Sequence, residues 1–358
     1  DESQPMLFNW TVVSASSPAN PDIPPAPTAK PDFSVDAESA RIGATPGNAM
    51  VDASGAANYS VPLMTAPGSG GFAPAVSLDY NSQIPNGAMG LGWSIGGTSS
   101  IVRCAQTREQ DGKPSSAGIS LSRDDRFCLD GQRLVLVAGQ YGQDGSEYRT
   151  EIDAFARIVA YGSAGNGPLY FKVWSRDGAV SEYGNSTDSR IEARATGDDE
   201  TVMIWARNRL GDPAGNYFLY TYEENISGPV DFSLGTVRYT GNGRAGTSPY
   251  AEIRLVYSTG RADTPLSFVR SAAFSTTRLL TRIDSMAKVN AGDVNMQSLR
   301  SYFLEYGQDG YGRKTLESLL ECRDYTRKVC FPPTIFSWLK TEHAVGESSV
   351  VNHSLFPE

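Results

Sequence analysis

Between Tyr59 and Arg103 the chain reads YSVPLMTAPGSGGFAPAVSLDYNSQIPNGAMGLGWSIGGTSSIVR, and this stretch limits the possible folds more than any other. Its apolar residues come in brief runs: Ala75, Val76, Leu78 and Tyr80, then Ile95 and Ser99 to Val102. Each run is too short for a helix and is bounded by glycine-rich turns, so two or three short strands are predicted. Asn86-Gly87 is expected to turn the chain between them, because both residues tolerate positive φ. Gly90, Gly92, Gly96 and Gly97 bracket Trp93, a pattern expected where backbone packs closely around one buried indole.

Beyond Arg103, strand patterns alternate with turn signals: Asp111-Gly112, Asp130-Gly131, Asp144-Gly145, Asp177-Gly178 and Gly241-Asn242-Gly243. Candidate strands are Arg133 to Val137, Tyr148 to Glu151, Ile158 to Tyr161, Tyr170 to Ser175, Val180 to Tyr183 and Val202 to Asn208. Tyr217 to Glu223, Ala251 to Tyr257, Leu279 to Ser285, Arg300 to Tyr306 and Leu316 to Arg323 follow. KTLESLLEC in the last of these also fits a short helix, and only its neighbours favour a strand. Gly 36, Pro 21 and 20% charged residues fit a turn-rich β protein better than a helical bundle. The fold class expected is all-β: an extended antiparallel sheet of stacked hairpins.

PGSGGFAPAVSLDYNSQIPNGAMGLGWSIGGTSSIVR resembles the opening signature of the Salmonella plasmid virulence protein B (SpvB) amino-terminal domain family. GAANYSVPL resembles the lead-in strand of that family, a Gly-x-Ala-x-Tyr-x-x-Pro pattern. FKVWSRDGAVSEYG, MIWARNRLGDPAGNYFLYTYEE and RSYFLEYGQDGYGRKTLESLLEC resemble its later motifs, and CFPPTIFSW resembles the stretch that closes the domain. Those three segments also look like degenerate copies of one hairpin, similar in style to Rhs/YD repeats. The resemblance covers roughly Tyr59 to Trp338. It singles out Gly70, Gly71, Pro74, Tyr80, Asn81, Ser82, Gly87, Gly90, Gly92, Trp93 and Arg103 as architectural residues.

Residues 1–44 are rich in Pro, Ala and Ser and are expected to be a disordered or extended linker, with Phe8 and Trp10 isolated at its start. Residues 45–338 form the expected β domain, and 339–358 a tail leading towards a further domain, a β-propeller in the toxin relatives that the resemblance implies. The four cysteines fall into two local pairs, Cys104 with Cys128 and Cys322 with Cys330, neither with Cys-x-x-Cys spacing. They read as two disulfides in an oxidising compartment, or as four buried thiols in a reducing one; even, local pairing in a turn-rich chain favours the bridges.

The search for chemistry returns mainly exclusions. A formal charge of −9 with no basic run argues against nucleic acid or anionic membrane as a partner. No apolar stretch approaches the roughly 20 residues of a spanning helix. His343 and His353 both lie in the tail, so a Ser-His-Asp, Cys-His or His-metal site inside the β domain is excluded. PGSGG lacks the Lys-Ser/Thr of a phosphate loop, and the Gly90-Leu91-Gly92 spacing leads into a strand where a dinucleotide fold needs a helix. Gln143-Asp144-Gly145 and Gln308-Asp309-Gly310 lack the acidic spacing of a calcium loop. Asp79, Asp153, Glu182 and Glu223 are the carboxylates to test for a glycosidase pair, although turn capping explains them more simply. The ADP-ribosyltransferase known from Salmonella relatives sits in a separate domain needing Glu-x-Glu, which this chain lacks. No catalytic residue, metal or cofactor is expected.

The resemblance implies a non-enzymatic module of a secreted or surface Rhs/insecticidal-toxin-complex protein. Its expected role is to help build a β-sheet shell around a toxic carboxy-terminal segment, with downstream propeller, YD repeats and toxin-complex subunits as partners. A secreted module that binds glycans or a host protein is the alternative. It would use Trp93, Trp174, Trp205, Trp338, Tyr161, Tyr170, Tyr183, Tyr220, Tyr222 and Tyr306, or the loop Gly241 to Ser248. The position of these rings separates the two: buried for a shell, solvent-facing in a row for a binder.

Overall fold

A computed structural model describes residues 45–112, 118–193, 201–225, 228–290 and 293–338. The linker, the tail, both histidines, Phe8 and Trp10 lie outside the described residues. Nearly everything described is antiparallel β, as the alternating patterns predict.

Four strands form a small sheet in the order β1-β2-β3-β6: β1 Asn48–Val51, β2 Ala57–Pro62, β3 Ser77–Asn81 and β6 Trp93–Gly96. Between the last two, β4 Asn86–Gly87 pairs with β5 Gly90–Leu91. The expected turn is therefore displaced. Asn86 and Gly87 are paired strand residues without positive φ, and the chain reverses at Ala88 and Met89, ending in Gly90 at φ 77°. Long-range contacts described below hold Asn86 and override its turn preference.

Eight strands then close a barrel. β7 Ser100–Cys104, β8 Arg126–Leu129, β9 Gln132–Ala138 and β10 Glu147–Thr150 run on to β11 Arg157–Tyr161, β12 Tyr170–Trp174 and β13 Val180–Tyr183. β15 Val202–Gly211 completes the ring. Its first half pairs with β7 (Ile204 with Val102) and its second half with β13 (Val180 with Gly211). Alternation fills the interior: Ile101, Phe127, Leu134, Tyr148, Ile158, Phe171, Tyr183 and Trp205 all point inward. A short helix, α1 Arg108–Asp111, follows β7. β14 Arg190–Glu192 pairs with the start of β15.

From the second half of β15 the sheet runs on as an open one, through β16 Asn216–Asn225, β17 Asp231–Asn242, β18 Ala251–Ser258 and β21 Leu279–Ala287. It ends in β22 Gln297–Gln308, β23 Lys314–Cys322 and β24 Thr334–Ile335. A hairpin of β19 Leu266–Val269 and β20 Ala272–Ser275 branches off between β18 and β21. KTLESLLEC is a strand, buried along almost its whole length on both faces, which is why its apolar residues do not alternate cleanly. β17 was not expected. Gly235 interrupts its pattern, and Gly241-Asn242, read as a turn, pairs with Tyr217 and Asn216 at its end. The three hairpin-like segments are indeed antiparallel pairs: β12–β13, β15–β16 and β22–β23.

The small sheet lies on one face of the open sheet. Val61, Leu78 and Trp93 from the first, with Met89 from the β4–β5 hairpin, share a core with Phe218, Tyr239, Ile253, Leu280, Tyr302 and Leu319 from the second. Apolar burial on this scale supplies the main driving force for folding.

Candidate functional site

Trp93 is 2% exposed and sits at the centre of an aromatic cluster drawn from the two ends of the described chain. Its ring lies 5.4 Å from Tyr80 and 6.4 Å from Tyr59, both in the small sheet, and 4.9 Å from Phe336. Trp338 packs 5.2 Å from Tyr80 and donates its indole N–H to the Leu316 carbonyl at 2.7 Å. CFPPTIFSW therefore folds back along β23 and clasps the opening signature. The glycines leave room for this. A Cβ on Gly92 would stand 2.4 Å from the Tyr80 ring, and one on Gly90 2.4 Å from the Lys314 carbonyl oxygen.

A polar clip holds the β4–β5 hairpin down. Arg261 donates to both carboxylate oxygens of Asp263 at 2.8 Å, to the Gly87 carbonyl at 2.6 Å and to the Asn86 side chain at 2.9 Å. Asp263 also accepts from the Asn86 amide at 2.9 Å and the Lys314 N–H at 2.6 Å. Burial pushes the Asp263 carboxyl up, but Arg261, the Lys314 N–H and Asn86 outweigh it and hold it well below the usual carboxylate range. Nothing in the local sequence marks Arg261 or Asp263, because both act on residues far away in the chain.

Arg103 ends the signature at one mouth of the barrel, and its side chain is fully buried. It donates to the carbonyls of Val202 (2.6 Å), Ser122 (2.9 Å) and Asn166 (3.1 Å), and pairs with Asp125 at 3.2 Å. Phe127 and Trp205 flank the guanidinium, each with its ring centre 5.8 Å away. One side chain thus ties β15 to the segments before β8 and β12. Beside it Cys104 is bonded to Cys128, and at the other end of the chain Cys322 is bonded to Cys330.

The remaining signature residues form turns and struts. Gly70 and Gly71 shape the PGSGG turn, which seats Phe72 in a stack 4.1 Å from Phe218, and Pro74 is buried behind it. Asn81 donates to Asn58 at 2.9 Å, and the Ser82 hydroxyl accepts from the Ala57 N–H at 3.1 Å. Gly87 contributes its carbonyl to Arg261.

The four carboxylates are spread out, each engaged locally. Asp79 accepts from Ser60 and Ser77, and Asp153 from the Phe155 N–H. Glu182 pairs with Lys172 and Asn185, and Glu223 faces Arg278 at 3.8 Å. Among the described residues no group of His, Cys, Asp and Glu could hold a metal ion. No helix among the described residues is long and apolar enough to cross a membrane. Of the rings proposed for binding, Trp93, Trp205, Tyr183 and Tyr220 are buried. Tyr161 and Tyr170 are half-buried and stack on each other 5.0 Å apart, and Arg157 covers Trp174. The loop from Gly241 is a tight turn closed by Asn242 and Thr247.

Residues 51–233 match the family described as the Salmonella virulence plasmid 65kDa B protein. The chain belongs to this SpvB family. No curated protein matches it. Among solved structures, this chain aligns with the TcdB2-TccC3 crystal structure at TM-score 0.62 and 18% identity, over 85% of its own length and 17% of that chain. The amino-terminal domain of the effector SpvB from Salmonella typhimurium aligns at TM-score 0.57 and 18% identity, over 74% of this chain and 99% of that one. The Photorhabdus luminescens Tc holotoxin pore aligns at TM-score 0.59, over 85% of this chain and 17% of that one. The chain thus spans about a sixth of the toxin-complex chains whose fold it shares.

Proposed function

We propose that this chain is a non-enzymatic structural module of a secreted toxin-complex protein, and that it forms part of a β-sheet shell enclosing a toxic segment. In this reading residues 45–338 are the domain, and the signature residues serve architecture. One observation carries the proposal: the fold aligns over most of its described length with part of TcdB2-TccC3. The inward packing of the signature supports it, since Trp93, Gly90, Gly92 and Arg103 are all spent on core contacts. A binding module would display its rings, whereas the most conspicuous ones here are enclosed.

The test uses the complete gene product that carries this chain, compared with a version lacking residues 45–338. Electron microscopy should show a closed hollow particle that shields its carboxy-terminal segment from protease. The deletion should open the particle and expose that segment. Equal protection in both proteins, or no hollow particle at all, refutes the shell role.

A further inference from the structure

The covalent bond between Cys322 and Cys330 sits where the chain turns back to make the aromatic clasp. Residues 331–338 return antiparallel to β23, but their hydrogen bonding is sparse. Phe331 donates to the Glu321 carbonyl and Phe336 to the Glu317 carbonyl, each at 2.8 Å. Between them Pro332 and Pro333 have no N–H, and the β23–β24 pairing spans only Ser318 with Ile335 and Leu319 with Thr334. The loop that the bond closes is also strained. Arg327 holds φ 59°, an unfavourable region for an arginine, while its guanidinium lies 4.4 Å from the Phe303 ring centre and 2.8 Å from Glu305. Phe336 in the core and the Trp338 indole on the Leu316 carbonyl hold the far end of the segment, while at its near end a thin ladder and a strained loop leave the covalent tie as the main anchor.

We infer that Cys322–Cys330 is a redox latch: its reduction releases residues 331–338, and with them Phe336 and Trp338, from the signature. The reductant is a dithiol. Its thiolate attacks Cys330 Sγ, the more exposed sulfur residue at 6% against 1% for Cys322, and Cys322 leaves as a thiolate. The second thiol of the reductant then closes onto the mixed disulfide and expels Cys330. The reductant ends as a disulfide, and its two protons and two electrons end on the two cysteines. Cys104 and Cys128 are half-buried, so their bond is reduced first. That earlier step leaves the clasp intact, because the segment there is also tied by Asp111 to Arg126 and Arg133 and by Asp125 to Arg103. The latch stands independently of the shell proposal, since it concerns only how this domain releases its own closing segment.

The experiment is a dithiothreitol titration of the oxidised protein, with alkylation and mass spectrometry identifying which pair has opened and hydrogen exchange reading each region. Opening of Cys104–Cys128 should leave exchange in 331–338 unchanged. Opening of Cys322–Cys330 should raise exchange there about tenfold or more, while peptides around Trp205 stay protected. A Cys322→Ser/Cys330→Ser variant should show the same local rise without reductant, and Cys104→Ser/Cys128→Ser should not. The latch is refuted if 331–338 stays protected after both cysteines are reduced. It is equally refuted if that pair opens only as the whole domain unfolds.

Discussion

Replacing Arg103 by Met tests the keystone of the barrel. The change keeps an unbranched apolar stem between Phe127 and Trp205 but removes every donor, so Asp125, 3% exposed, loses its cationic partner and keeps only Ser120, and three carbonyls lose the guanidinium. Breaking a buried pair from one side costs about 3–5 kcal/mol, because the surviving charge stays desolvated. Against a typical total of about 5–15 kcal/mol, the variant folds but is visibly weakened. With a urea m-value of about 3 kcal/mol/M, its midpoint should fall by roughly 1–1.7 M at unchanged slope. The double variant Arg103→Met/Asp125→Leu removes the stranded charge and should recover at least half of the loss. A single-variant loss under about 1 kcal/mol, or a double variant no better than the single, refutes the keystone reasoning.

Gly90→Ala should cost about 2–4 kcal/mol in chemical denaturation, since the new Cβ meets the Lys314 carbonyl at a φ of 77° that alanine disfavours. Asp263 has its folded pKa depressed, so its stabilising effect is complete above the ordinary carboxylate range and fades as pH falls through and below it. Hydrogen exchange of the β4–β5 hairpin should therefore rise on acidification, and Asp263→Asn should abolish that dependence. Burial pushes Tyr239 and Tyr302 up to about 12 from an ordinary 10, so they stabilise the fold below pH 10 and lose that effect as pH rises towards 12. Absorbance titration should show their ionisation delayed accordingly, and ionisation near pH 10 in the folded protein would contradict their burial. With β1 wholly exposed, its Met50 and Val51 included, the isolated chain should self-associate through this edge in analytical ultracentrifugation. A Val51→Lys change should suppress that association.

The strands were legible wherever alternation and turn chemistry agreed, as at Tyr170–Trp174 and Val180–Tyr183. Trp93 could be read as a buried indole because the glycines around it are a local record of close packing. Three features left no such record. Closure of the barrel depends on Val180–Tyr183 meeting the second half of β15, a pairing that no turn between them specifies. β17 carries Gly235, with Ser233, Thr236 and Thr240 scattered along it, and is buried on both faces in places, so the period-2 signal is blurred. Asn86-Gly87 has strong turn chemistry, yet the turn forms two residues later because Arg261 and Asp263 hold Asn86 from afar. In each case a contact between remote segments outweighed a local preference.

β15 belongs to two bodies at once, its first half closing the barrel against β7 and its second half carrying the open sheet through β16. A force that separates barrel from sheet has no linker to stretch and must shear the ladder of one continuous strand. The two parts should therefore yield together, and a pull on the sheet is felt at Trp205 and Arg103 inside the barrel, where β15 is pinned.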